Sequence, residues 1–294
     1  GTSLQAAAVA ASLGRAVGGL HIPPALVLSA STAAALAAAV HGLLLGGPSP
    51  ACPPLVATTT PASRAAGVPA SLNQAQMVAL HALAPDSPAY NVASVALFDG
   101  VAARPPGAAA LERALVWLAT RHGSLRTQFS VVEATGAPVQ SIASPQAVLE
   151  AGVLSAVAVA PGGGEAALLA AARADAARPF QLVGGLPLFR VLLATDPATG
   201  GGALALTAHH AITDGASQGL LWAELGAVCG ALARGASPPI LPKLTLAYAD
   251  FAAWQLARVA DGSLALHLAY WKETLAGAPP LLELPTDRPR PATP

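Results

Sequence analysis

The chain has 294 residues, of which 54% are hydrophobic and 10% charged, and a formal net charge of +0. This composition excludes general disorder, and the balance of 15 basic against 15 acidic residues leaves no electrostatic footprint for nucleic acid or an anionic membrane. At ~150 residues per domain the length allows roughly two domains.

Cys52 and Cys229 lie far apart, with no metal spacing and no disulfide framework, which points to a reducing, cytoplasmic setting. The chain opens on Gly1 and its only methionine is Met77, so it reads as processed or as a segment of a longer polypeptide. The run Ala25 to Leu45 is rich in alanine and interrupted by Ser29, Ser31, Thr32 and His41. It reads as a helix outside the membrane, and no signal peptide precedes it.

A helical pattern begins at Gly1-Thr2-Ser3-Leu4 and runs to about Val17, where Gly18-Gly19 ends it; a second is predicted from about Ser31 to Leu45. Residues 1–46 thus form a small all-α unit. A serine at a helix start is ordinarily an N-cap, but the free N–H groups there also suit a phosphodiester. Residues 47–68 carry Pro48, Pro50, Pro53, Pro54 and Pro61 with no apolar period, and read as a semi-extended tether that lets a small domain swing.

From residue 69 onward helices and strands alternate. Helices are predicted at Ser71–Leu83, Ala108–Arg121, Glu165–Ala177, Ser217–Leu232, Leu246–Val259 and Leu264–Leu275. Strands are predicted at Val92–Phe98, Leu125–Val132, Val139–Ile142, Leu154–Val159, Leu188–Ala194 and Ala203–Thr207. The order argues for an α/β sandwich with a mixed sheet.

The chemistry concentrates just after the last of these strands, in His209-His210-Ala211-Ile212-Thr213-Asp214-Gly215. If the strand continues through the pair, His209 and His210 face opposite environments, one packed and one open to a cleft. An imidazole with a pKa near ~6.5 can take a proton from an amine or hydroxyl nucleophile and return it. Asp214 could pair with a cation to orient the loop, and Gly215 permits a tight backbone where a helix begins. The same residues also fit one core and one surface histidine. A metal site is disfavoured, because opposite-facing neighbours rarely share one ion and no cluster supplies a third ligand.

Two resemblances organise these observations. Gly1-Thr2-Ser3-Leu4-Gln5-Ala6, followed by Leu20-His21-Ile22-Pro23, is similar to the back half of an acyl or peptidyl carrier domain. That likeness implies a covalent 4'-phosphopantetheine on Ser3. The chain from residue 69 to residue 294 resembles the N-terminal lobe of condensation domains of nonribosomal peptide synthetases. Four patches carry it: Ser71-Leu72-Asn73-Gln74, Arg121-His122-Gly123-Ser124-Leu125-Arg126-Thr127-Gln128-Phe129, the HHxxxDG stretch, and Tyr248-Ala249-Asp250-Phe251-Ala252-Ala253-Trp254. Tyr90-Asn91, Pro179-Phe180 and Leu284-Pro285-Thr286-Asp287-Arg288-Pro289-Arg290-Pro291 also fit.

The resemblance implies a chloramphenicol-acetyltransferase-like sandwich lobe within a modular synthetase, nonribosomal or hybrid with a polyketide synthase. The implied reaction is amide (or ester) formation between carrier-bound thioesters. His210 would be the base or positioner, with His209, Asp214, Gly215 and Arg126 in support. Upstream and downstream carrier domains and an adenylation domain would be the partners. Gly123 departs from the family, which usually has an acidic residue there, and the second lobe would lie beyond Pro294, so the isolated segment is expected to be inactive.

Taken without the resemblance, Arg121 and Arg126 read as solvated strand-end charges. Tyr248, Phe251 and Trp254 read as a packed helix face, and Asp250 as a helix-surface or cap residue. Three rival functions share parts of the pattern. A stand-alone acyl-CoA acyltransferase shares HxxxDG, and a non-catalytic lobe could only dock a carrier. A serine hydrolase would use Gly215-Ala216-Ser217-Gln218-Gly219 with Asp250 or Asp261 and His267. Epimerisation is a relative within the synthetase family, but Gly215 after Asp214 favours condensation.

Overall fold

Alanine-rich periodicity at the N-terminus produces α1 (Ser3–Ala16), α2 (Pro24–Ser29) and α3 (Ala33–Leu45), packed around Ala10, Ile22 and Val40. The computed structural model describes residues 3–30, 32–45, 53–279, 282 and 284–289, with the side chains of Ser3 and Leu4 outside that set. The run Ala25 to Leu45 is not one helix: Ala30 is extended (φ −77°, ψ 107°) and separates α2 from α3. No helix among the described residues is long and apolar enough to cross a membrane.

The expected tether is structured over its second half. Thr60 caps α4 (Pro61–Ala66) in a reciprocal capping box with Ser63, and Pro61 opens the helix where its missing N–H costs nothing. Strand β1 (Val68–Pro69) follows, then Ser71 caps α5 (Leu72–Leu83) in a second capping box with Gln74.

The remaining elements are β2 (Asn91–Phe98), α6 (Ala108–Arg121), β3 (Thr127–Val131), β4 (Pro138–Ile142), α7 (Pro145–Glu150), β5 (Leu154–Ala158), α8 (Gly164–Ala176), β6 (Phe189–Thr195), β7 (Gly202–His209), α9 (Gly215–Ala233), α10 (Tyr248–Ala260) and α11 (Ala265–Thr274). The predicted strand start at Leu125 is wrong: residues 123–126 form a 3-10 turn before β3, closed by Leu125 N–H to the His122 carbonyl at 3.2 Å. Helix α7 has no counterpart among the predicted elements, although Ser144 as cap and Pro145 as first helical residue are its signals.

The strands form two sheets, β1-β4-β3 and β2-β7-β6-β5; the second is mixed, with only β5 and β6 parallel. β7 is buried along its whole length because helices cover both faces. Leu204, Leu206 and Ala208 pack with Leu111, Leu115 and Leu118 of α6 and Leu221, Leu225 and Val228 of α9. Ala203 and Ala205 meet Leu168 and Ala172 of α8. Each large aliphatic side chain so buried contributes about 1.5–3 kcal/mol, which fixes the register of β7 and the point where it delivers the histidines.

Candidate active site

The end of β7 separates the two histidines. His209 is the last strand residue and only 5% exposed, whereas His210 begins a turn and is exposed. The contrast therefore arises where the strand stops, not from alternation carried through both residues. His209 Nδ1 accepts the Ala211 N–H at 3.1 Å, and its ring lies between Tyr90 and Phe180, each 6.4 Å away. Burial, with smaller contributions from His81 and His210, lowers its pKa to about 4, so it is neutral near pH 7.

Behind His209 stands a charged network that sequence reading missed. Arg190 stacks 4.1 Å over the Phe180 ring, pairs with Asp175 at 3.1 Å, and donates to the carbonyls of Asp175 and Arg178, both at 2.6 Å. Thr207 Oγ1 also donates to Asp175, at 3.3 Å. Phe180 thus stands nearly perpendicular to the His209 ring, at 83°, while the Arg190 guanidinium lies over the Phe180 ring.

His210 is pinned by its backbone N–H to the Tyr90 carbonyl at 2.8 Å. Its side chain lines a cavity of about 330 Å³ together with Asn73, Gln76, Tyr90, Ser124, Asp214 and Tyr248. Gln74, only 2% exposed, reaches the Ala211 carbonyl at 3.4 Å and ties α5 to the histidine loop. The packed-face reading of Tyr248 fails: the residue is 39% exposed and on the cavity wall. Its place in the fourth family-like patch was the available signal.

Asp214 does not orient the loop by pairing with a cation; it caps α9, accepting Ser217 N–H at 2.8 Å and Ser217 Oγ–H at 2.7 Å. Those two bonds hold its carboxyl below the usual range, with a smaller contribution from nearby His210. Gly215 is the first residue of α9. Arg126 is half-buried and donates to the carbonyls of Ala119 (2.8 Å) and Ala143, joining α6 to the loop after β4 behind the site. Arg121 pairs with Glu224 at 3.2 Å, and His122 bonds the same carboxylate at 2.6 Å, so neither arginine is a free surface charge.

The hydrolase pattern dissolves in three dimensions. Residues 210–214 separate β7 from α9, so no strand runs into an elbow at Gly215. Ser217 gives its hydroxyl hydrogen to Asp214, and Asp250 is bonded to Thr58 and Thr59. Among the described residues no group of three His, Cys, Asp or Glu side chains could hold a metal ion. Cys229 is buried in the core and Cys52 lies outside the described residues.

Two sheets flanked by helices, one of them mixed, with an exposed histidine on a cavity where an interior strand ends, fit a chloramphenicol-acetyltransferase-like lobe. The family model for the condensation domain matches residues 67–294, and the chain belongs to that family. It is 38% identical to a linear gramicidin synthase of Brevibacillus parabrevis over 274 residues, 93% of this chain and 3% of that protein. It is 40% identical to the phosphinothricin tripeptide synthetase PhsC of Streptomyces viridochromogenes over 76% of this chain and 20% of that one. Among solved structures, the starter condensation domain of rhizomide synthetase RzmA superposes with a TM-score of 0.60 at 25% identity, covering 73% of this chain and 49% of that one. The complex of the X-domain and OxyB from teicoplanin biosynthesis gives 0.64 at 27%, covering 82% and 50%. The chain thus spans a small part of these synthetases and about half of the solved chains.

Proposed function

We propose that this lobe, completed by a second one, joins the acyl group of one carrier-bound thioester to an amine held on another carrier. The observation that carries this reading is the exposed His210 on a cavity of mixed polar and apolar lining, its backbone locked to Tyr90 and its neighbour His209 sealed behind it. His210 takes the proton from the attacking amine, or positions it. The amine nitrogen bonds to the thioester carbonyl carbon, the C–S bond breaks, and the proton passes to the leaving thiolate. An acceptor hydroxyl in place of the amine gives an ester. His209, Asp214, Gly215 and Arg126 hold the loop.

Upstream and downstream carriers and an adenylation domain are the partners in this reading, within the cytoplasm, and Ser3 is the attachment point for 4'-phosphopantetheine. Ser3 is the first residue of the 14-residue helix α1, where free N–H groups favour a phosphate; its side chain lies outside the described residues. The family model starts at residue 67, yet the gramicidin synthase similarity covers 93% of the chain and so extends into the N-terminal helices, which supports this context. Helix α11 buries none of its residues and leaves Leu266, Tyr270 and Trp271 exposed, a surface that a second lobe would cover.

The test is His210→Ala in the complete two-lobe domain, supplied with acyl-loaded and aminoacyl-loaded carriers. Product formation should fall about 10²–10⁴-fold with the melting temperature unchanged. Unchanged product formation would leave only a docking lobe. A soluble acyl-CoA used as readily as the carrier thioester would point instead to a stand-alone acyltransferase.

A further inference from the structure

Ser71 and Tyr248, 177 positions apart, meet at 3.1 Å between their hydroxyl oxygens, and the direction of that hydrogen bond decides what Tyr248 can do. Ser71 is completely buried, and its Oγ accepts the Gln74 N–H at 3.2 Å as the cap of α5. Its own hydroxyl hydrogen then needs an acceptor, because a buried donor without one is destabilising. Among the described residues the acceptor in reach is Tyr248 Oη. Ser71 donates, Tyr248 accepts, and the phenol hydrogen is left to point elsewhere.

Tyr248 is 39% exposed and is among the residues that line the His210 cavity. Its ring is held 5.3 Å from Phe251, and the same first turn of α10 is anchored by Asp250. Other hydroxyls on the cavity are differently placed. Ser217 and Thr127 commit their hydrogens to Asp214 Oδ1 (2.7 Å) and the Gly123 carbonyl (3.4 Å). Thr213 Oγ1 is buried without a partner, and Tyr90 and Ser124 have no hydroxyl partner among the described residues, so nothing orients these three. A donor aligned before the reaction stabilises developing charge more than one that must be ordered during it.

We propose that Tyr248 is a second catalytic residue, donating its phenol O–H to the carbonyl oxygen of the donor thioester while that oxygen carries negative charge. This rests on the condensation reading given above. As the N–C bond forms, the carbonyl π electrons move onto oxygen, where the phenol hydrogen meets them. They return as the C–S bond breaks, and the amine proton reaches the thiolate through His210. Tyr248 keeps its own proton throughout.

The test uses Tyr248→Phe in the complete two-lobe domain, since phenylalanine keeps the ring stack and removes only the hydroxyl. Two readouts are taken: amide formation between loaded carriers, and the infrared carbonyl stretch of a donor carrier bearing a ¹³C-labelled ketone in which CH₂ replaces the thioester sulfur. The variant should lower kcat about 10²-fold with KM within about twofold, and the ketone stretch should rise as its hydrogen bond is lost. A kcat within about twofold of the unmodified protein together with an unshifted stretch overturns the assignment while leaving condensation intact. If no amide forms in the unmodified protein but the stretch still depends on Tyr248, the condensation reading fails and the hydrogen-bond assignment stands.

Discussion

Thr59 and Asp250, 191 positions apart, are joined twice: the amide and the hydroxyl of Thr59 both donate to Asp250 Oδ1, at 2.8 and 2.7 Å. Thr58 N–H adds a third bond to the same oxygen at 2.9 Å, and Ala247 N–H donates to Oδ2 at 2.8 Å. Arg64 lies 3.8 Å away. Asp250 is therefore neither a surface residue nor a simple cap; it fastens residues 58 and 59 to α10. Trp254 Nε1–H reinforces this by donating to the Pro53 carbonyl at 2.9 Å.

Replacing Asp250 with asparagine puts an NH₂ group where only acceptors fit, and alanine removes the acceptors altogether. Alanine should cost about 2–4 kcal/mol, because the part-buried donors of Thr58, Thr59 and Ala247 lose their partner together; asparagine keeps one acceptor oxygen and should cost less. Denaturant unfolding measures the loss, and amide hydrogen exchange should accelerate at Thr58 and Thr59 before it does in β7. Burial pushes the Asp250 carboxyl upward, but the bonds from Ala247, Thr59 and Thr58 outweigh it and bring its pKa to about 2. Its stabilisation is present above the unfolded value of about 3.9 and is lost as pH falls through about 2.

His209 predicts a second pH effect at milder acidity. Its folded pKa of about 4 lies below the ordinary 6.5, so between those values the unfolded chain binds the extra proton. Stability from neutral His209 is fully present above about 6.5 and declines toward pH 4, by up to roughly 3 kcal/mol. His209→Asn, whose Oδ1 can replace Nδ1 as acceptor for Ala211 N–H, should flatten the melting temperature between pH 6.5 and 5. An unaltered slope would show that another group controls it.

Gly123 tests how the site tolerates its departure from the family. A Cβ built there meets Ile142 at 3.8 Å and the Arg126 guanidinium at 4.0 Å, both ordinary contacts. Burial, then the nearby charge of Arg64, lowers the Arg126 pKa, so a new carboxylate would relieve that environment. Gly123→Asp should stabilise the lobe by about 0.5–1 kcal/mol, from a part-buried ion pair and a stiffer unfolded chain. Thermal melts at low and high salt would check it, since the ion-pair part shrinks with added salt.

Local signals were enough to place most of α5, α6, α8, α9 and α10 and strands β2, β4, β6 and β7, because capping residues and apolar periodicity act within a few positions. The same reach located the HHxxxDG stretch at a strand end, whereas the choice of His210 over His209 came from the family resemblance. Only the tertiary structure decided that residues 58 and 59 are fastened to α10, that Arg121 and Arg126 are partnered, and that Tyr248 faces the His210 cavity. These depend on partners up to 192 residues distant. A carboxylate, a guanidinium or a phenol carries no local sign of what returns to meet it. Burial and hydrogen-bond direction are set by packing between elements, and periodicity within one element is silent about its neighbour.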